Sequence, residues 1–174
     1  VLRVEPDGSV TLFHSWTEMG QGVHTILQQM ACEELGLPPE RVRVAVDTDR
    51  DLETGQTTAS RSTVLGGRAV IDAARKLKAA LAGRKLEELA GEEFRGEFVV
   101  DWTTKLGPDV DEPVTHLAYA WATQVAILDD EGRLAKVVAA HDVGRTINPT
   151  LAEGQIGGAV HMGLGQALSE EFVV

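Results

Sequence analysis

The chain has 174 residues, 43% of them hydrophobic, and a formal charge of −11 from 16 Lys and Arg against 27 Asp and Glu. That length supports one core, or one and a fraction; the acidic balance argues against a general nucleic-acid surface, and no apolar run is long enough to span a membrane as a helix. Cys32 is the single cysteine, so this chain alone can build neither a disulfide framework nor a thiolate metal cluster.

The opening reads as a β-hairpin. Leu2 and Val4 alternate up to the turn Pro6-Asp7-Gly8-Ser9, and Val10, Leu12 and His14 alternate away from it. A helix follows, with Val23, Ile26, Leu27, Met30 and Ala31 on one face and Gly36, Pro38 and Pro39 as its stop. Cys32 lies on that apolar face and reads as a buried thiol, in keeping with a reducing cytoplasm. Val42, Val44 and Val46 alternate as a strand that leads into an acidic loop, Asp47 to Glu53. A second helix is predicted from about Ser62 to Leu81, with Val70, Ala73, Ala74, Leu77 and Leu81 facing inward and Arg68, Arg75, Lys76 and Lys78 forming a solvated basic side. The polar stretch from Gly83 to Pro113 reads as a surface linker containing a short helix and strand.

A second hairpin is expected over Val114 to Asp129 and Leu134 to Ala140, turning at Asp130-Glu131-Gly132, followed by a helix from Pro149 to about Leu168. This repeats the opening layout. Gly8 and Gly20 stand at the same offset from Gly132 and Gly144, and Glu18-Met19-Gly20 corresponds to Asp142-Val143-Gly144. An internal duplication explains the pattern, with residues 1–113 as a first repeat plus acidic linker and 114–174 as the start of a truncated second one. A first residue of Val and a last segment, Glu171 to Val174, that reads like a strand beginning give the expectation of a piece of a longer chain.

Three stretches rich in glycine or hydroxyls stand where helices begin or run: Glu18 to Thr25, Thr57 to Thr63, and Gly154-Gln155-Ile156-Gly157-Gly158. Helix starts expose N–H groups and a partial positive charge, so three of them in one place could hold a large anionic cofactor without a lysine. Each also has a plain structural reading. Gly20-Gln21-Gly22 can be a tight turn, Thr57 to Thr63 a solvated loop, and the glycines at 154, 157, 158, 163 and 165 a close helix crossing. The five histidines, at 14, 24, 116, 141 and 161, show no ligand spacing, which disfavours direct ligation of a metal. His24 adjoins the first glycine loop, where contact with a ligand and a helix-surface position both stay open.

Taken in order, Glu18-Met19-Gly20-Gln21-Gly22-Val23-His24-Thr25, Thr58-Ala59-Ser60-Arg61-Ser62-Thr63 and Asp142-Val143-Gly144-Arg145-Thr146-Ile147-Asn148-Pro149 with its glycine-rich continuation to Glu171 resemble the molybdenum-cofactor-binding subunit of the xanthine dehydrogenase and aldehyde oxidase family. The resemblance covers nearly the whole chain. It implies an α+β fold, an α/β two-layer sandwich of repeated β-β-α-β-α-β units with a mixed sheet, that holds molybdopterin, usually as the cytosine dinucleotide in bacteria. By position it implies that Gly20, Gln21 and Gly22 meet the pterin and its phosphates. Ala59 corresponds to the residue whose backbone lies against molybdenum, Ser60 and Ser62 to neighbouring donors, and Gln155 to a glutamine bonded to the pterin. The metal is then held by the pterin dithiolene rather than by side chains.

The implied chemistry is hydroxylation of an electron-poor carbon, with a glutamate base supplied from beyond residue 174. Glu170 and Glu171 stand at another position and read as helix-end carboxylates, so no catalytic residue is nominated. Iron–sulfur clusters and FAD belong to partner domains or subunits, and the piece alone is expected to bind cofactor weakly and turn over nothing. Within the family, the Asp47-Thr48-Asp49 strand end and the Thr58-Ala59-Ser60-Arg61 loop look closer to bacterial purine dehydrogenases than to aldehyde oxidoreductases, a resemblance that implies a purine such as xanthine as substrate. An aldehyde oxidoreductase or carbon monoxide dehydrogenase large-subunit fragment is the alternative within the family, and a non-catalytic assembly module the alternative outside it.

Overall fold

The computed structural model describes residues 1–104, 107, 109–115 and 118–173. Lys105, Leu106 and Pro108 of the predicted linker, His116 and Leu117 of the predicted second hairpin, and Val174 at the end of the predicted closing segment lie outside them. Two compact units are present, Val1–Leu117 and Ala118–Val174.

The first unit contains β1 (Leu2–Val4), β2 (Val10–Phe13), α1 (Val23–Leu35), β3 (Val42–Ala45), α2 (Gly67–Leu81) and β4 (Glu93–Phe94). Its sheet runs β3-β2-β1-β4. β1 pairs antiparallel with β2 and β4, whereas β2 pairs parallel with β3 through the crossover helix α1. The register places Leu2 opposite Leu12 and Val4 and Val42 opposite Val10, so the alternate residues of three strands fall on one face. Both helices supply the other layer, and Val23, Leu27, Ala31, Val70, Ala73, Ala74 and Leu77 close over that face with Leu89. The mixed two-layer α/β arrangement is the fold class expected.

α1 ends where glycine was predicted to stop it. Gly36 takes the left-handed conformation at φ 69°, and the N–H groups of Gly36 and Leu37 both reach the Cys32 carbonyl. Cys32 itself is buried, and burial pushes its thiol pKa up. The second helix departs from expectation at its start, because Ser62–Gly66 form a π-turn before regular α-helix begins at Gly67. The polar stretch after Gly83 is also more than a surface linker. Leu89 is fully buried, and Glu93 and Phe94 add the β4 edge to the sheet beside β1.

In the second unit, β5 (Trp121–Leu128) and β6 (Leu134–Asp142) form an antiparallel hairpin, followed by α3 (Pro149–Leu168). The predicted helix bounds are met at both ends, where Asn148 caps α3 by accepting the Leu151 N–H and Pro149 takes the first position. β5 begins seven residues later than Val114. None of the described residues of this unit is buried. Its turn repeats the first one closely: Glu5 N–H donates to Ser9 O and Gly8 N–H to Glu5 O, and Asp129 N–H likewise donates to Arg133 O and Gly132 N–H to Asp129 O. Among the described residues no helix is long and apolar enough to cross a membrane.

Candidate functional site

The first two loops lie side by side in the first unit. Ser15 Oγ donates to Leu52 O at 2.5 Å and shares a 2.9 Å bond with Thr54 Oγ1, and the Thr17 N–H donates to Thr57 Oγ1 at 2.9 Å. Trp16, 5% exposed, anchors the pair from below, because a Cβ placed on Gly66 in the π-turn would stand 2.6 Å from Trp16 Nε1. The indole, already buried, must shift to make room. Gly66→Ala is therefore expected to cost about 1–3 kcal/mol, read as a lower urea midpoint at unchanged slope.

The first loop is organised by its own carboxylate. Glu18 Oε1 accepts the N–H groups of Gly20 at 2.8 Å and Gly22 at 2.9 Å, and Oε2 accepts that of His24 at 3.2 Å. Burial alone would raise the Glu18 pKa, but the three backbone donors outweigh it and hold the carboxyl below its usual range. Three of the amides at the start of α1, those of Gly20, Gly22 and His24, are thus engaged within the loop. Gln21 also turns into the loop, with Nε2 donating to Thr17 O at 2.8 Å and Oε1 accepting the Met19 N–H at 2.6 Å. Gly20 and Gly22 have φ of 97° and 85°, as a turn of this tightness requires.

Beneath this loop, His14 is 6% exposed and its Nδ1 accepts the Trp16 N–H at 3.2 Å. Its Nε2 stands 2.9 Å from His24 Nδ1. Burial, reinforced by the neighbouring His24, pushes the His14 pKa down to about 4.

The second loop offers what the first does not. Ala59 and Ser60 both take the left-handed conformation, at φ 49° and 58°, an arrangement costing on the order of 1–3 kcal/mol per residue outside glycine. Both are exposed, and their N–H groups make no hydrogen bond among the described residues. Ser62 is turned inward instead and is buried. Arg61 borders a cavity of about 320 Å³ lined with Thr54, Gln56, Thr103, Thr104 and Thr115, with no carboxylate on its wall. Among the described residues Arg61 has no acidic partner within ion-pair distance. Free amides, hydroxyls and one uncompensated guanidinium suit a phosphate-bearing, heteroatom-rich group.

The third stretch is in the second unit and is not a helix start. Gln155 falls on the second turn of α3, so its amide belongs to the helix ladder. The space beside Gly154, Gly157, Gly158 and Gly163 is open, rather than filled by a backbone crossing. Among the described residues no three His, Cys, Asp or Glu side chains converge as metal ligands.

Sequence reasoning missed the Glu18 carboxylate, the Trp16 anchor and the threonine-lined cavity. An acid two residues before a glycine was the readable signal for the first. The others depend on long-range packing.

The fold and these loops define a two-layer α/β domain built to present polar backbone and hydroxyl groups on paired loops. The sequence model of the molybdopterin cofactor-binding domain family matches residues 1–106 and 88–174, and the chain belongs to that family. Xanthine dehydrogenase of Drosophila subobscura is 29% identical over 194 residues, covering 99% of this chain and 14% of the relative. The nicotine 6-hydroxylase large subunit of Paenarthrobacter nicotinovorans is 29% identical over 208 residues, covering 98% of this chain and 26% of the relative. The chain thus spans a minor part of both. Among solved structures, the aldehyde oxidoreductase from Desulfovibrio desulfuricans ATCC 27774 superposes with a TM-score of 0.84 at 25% identity, covering 98% of this chain and 21% of that one.

Proposed function

We propose that the chain is part of a molybdenum hydroxylase, binding molybdopterin as its cytosine dinucleotide and supporting oxidative hydroxylation of a purine such as xanthine. The observation that carries this reading is the exposed Ala59–Ser60 pair, two non-glycine residues in the left-handed region with unpaired N–H groups, on the loop that borders the Arg61 cavity. Family membership and 29% identity to a xanthine dehydrogenase support it.

In this reading Ala59 and Ser60 meet the cofactor from the second loop, with the buried Ser62 behind them, Gly20, Gln21 and Gly22 meet it from the first, and Gln155 on α3 is the remaining cofactor-binding residue proposed. When bound, the cofactor supplies a two-electron oxidation of substrate carbon with oxygen drawn from water. The chain's own contribution is grip and orientation by neutral donors. Because Glu18 holds the Gly20, Gly22 and His24 amides and the Gln21 carboxamide is bonded within the loop, the first loop contributes shape more than an anion hole. We take residues 1–113 as the first cofactor-binding repeat with its acidic linker and 114–174 as the start of the second. Iron–sulfur and FAD partners carry the electrons away, and the setting is cytoplasmic.

Molybdenum and pterin analysis of the intact protein tests the reading. Stoichiometric metal and pterin are expected, with cytidine monophosphate released on hydrolysis of the dinucleotide; their absence overturns the proposal. Turnover of purines, aldehydes and carbon monoxide, assayed side by side, is expected to be fastest with xanthine.

A further inference from the structure

We infer that Trp16, His14 and His24 form a tautomer relay that presents the His24 Nε2–H as a hydrogen-bond donor to the ligand held beside the Gly20–Gly22 loop. The ligand half of this inference rests on the cofactor-binding reading; the relay half does not.

The Trp16 N–H has only a proton to offer, so His14 Nδ1, 3.2 Å away, must present its lone pair. A neutral imidazole with a bare Nδ1 carries its proton on Nε2. The charged form is excluded by the same contact, since an Nδ1–H would then face the Trp16 N–H inside a nearly sealed site. His14 Nε2 is therefore the donor in the 2.9 Å bond to His24. That makes His24 Nδ1 the acceptor and leaves the His24 proton on Nε2, at the far edge of its ring.

Position is fixed as firmly as protonation. His24 lies in the first turn of α1, and its own N–H is held by Glu18 Oε2, the carboxylate that also holds Gly20 and Gly22. One carboxylate thus sets the glycine loop and the root of the histidine together. The rings of His14 and His24 stand with centroids 4.9 Å apart at 38°, so His14 fixes the partner ring from behind. The charged group facing this pair from the loop is Glu18, whose oxygens are engaged by the three amides and do not serve the ring.

Two consequences follow for chemistry. With its outer nitrogen protonated, His24 donates and cannot act as a general base there. Its natural partner is an acceptor atom, a carbonyl, oxo or ring nitrogen, of a heterocycle seated on the loop. His14 touches no ligand and is a positioning residue.

Nitrogen-15 NMR of the intact protein reads the tautomers directly. The relay predicts an unprotonated Nδ1 and a protonated Nε2 at both histidines in the unaltered protein. The opposite tautomer at His24 would overturn it without any variant being made. In His14→Phe, His24 is expected to become a tautomer mixture, and His14→Gln, which keeps an N–H at the Nε2 position, is expected to restore the single form. An unchanged His24 in His14→Phe also overturns the relay.

Pterin content, measured by fluorescence after oxidative release, reads the ligand half. His24→Phe is expected to retain at least tenfold less pterin than the unaltered protein, and His14→Phe an intermediate amount recovered in His14→Gln. Full retention in His24→Phe overturns the donor role. An unaltered protein lacking pterin overturns the cofactor reading and the ligand half with it, while the nitrogen shifts still decide the relay.

Discussion

Alanine at Gly96 is expected to destabilise the first unit by about 3 kcal/mol or more, the upper range for overpacking. A Cβ there would run into the Ala69 carbonyl oxygen and stand 2.7 Å from the Ala73 nitrogen. Both are α2 backbone atoms, which no rotamer change can move. Relief requires the segment after β4 to lift away, and this segment is tied on either side: Lys76 Nζ donates to Arg95 O at 2.9 Å, and Asp72 accepts the Glu97 N–H at 2.9 Å. β4 pairs with β1 through only two residues, Glu93 and Phe94, so it should detach with the segment. The check is urea unfolding of the single variant against Gly91→Ala. At Gly91 the space is open, although its φ of 87° makes alanine costly there as well, at about 1–2 kcal/mol. A Gly96→Ala loss no greater than that of Gly91→Ala would show that the close approach is unimportant.

The hairpins and helices were legible in the sequence because their apolar residues keep one period throughout. Leu2, Val4, Val10 and Leu12 alternate in the chain and share a face in the sheet, and α3 begins at Asn148-Pro149 because side-chain cap and ring both favour that start. The repeated layout was legible for a similar reason. Gly8 and Gly132 each hold a positive φ, 73° and 78°, which the same turn demands twice. What could not be read was chemistry settled by distance in space. Glu18 looked like one more acid before a glycine loop, yet it occupies the amides that the loop was expected to offer outward. Gly66 gave no local hint that Trp16, fifty residues earlier, would pack against it in the π-turn. In the candidate site, the motifs picked out the loop on which Ala59 and Ser60 carry strained, unpaired amides, but not that Ser62 is turned inward or that Gln155 lies on the second turn of α3.

Acid should act on the first unit in two separable stages. His14 has a folded pKa of about 4 against an ordinary value of 6.5, so between those values the unfolded chain binds a proton that the folded one refuses. Stability therefore rises with pH across that window and is lost as pH falls through it, by about 3 kcal/mol in all. Glu18 acts lower down. Its carboxyl is held below the ordinary 4.5 by three amides, so its contribution is complete above that value and disappears as pH falls through the depressed folded pKa. Urea unfolding is expected to show a loss of stability as pH falls from 6.5 toward 4, and His14→Phe should flatten that stage while keeping the lower one. Glu18→Gln should lower stability at neutral pH by about 1–2 kcal/mol through weakened amide bonds, reduce but not abolish the lower stage, to which the depressed carboxyls of Glu5, Asp7, Asp72 and Glu93 also contribute, and keep the His14 stage while moving it to slightly lower pH, because the Glu18 charge raises the His14 pKa. A first stage that persists in His14→Phe would assign it to another group and remove the basis for treating His14 as a buried neutral imidazole. The same pair of variants separates the two supports of the glycine loop: the carboxylate that folds it, and the histidine beneath that fixes what stands beside it.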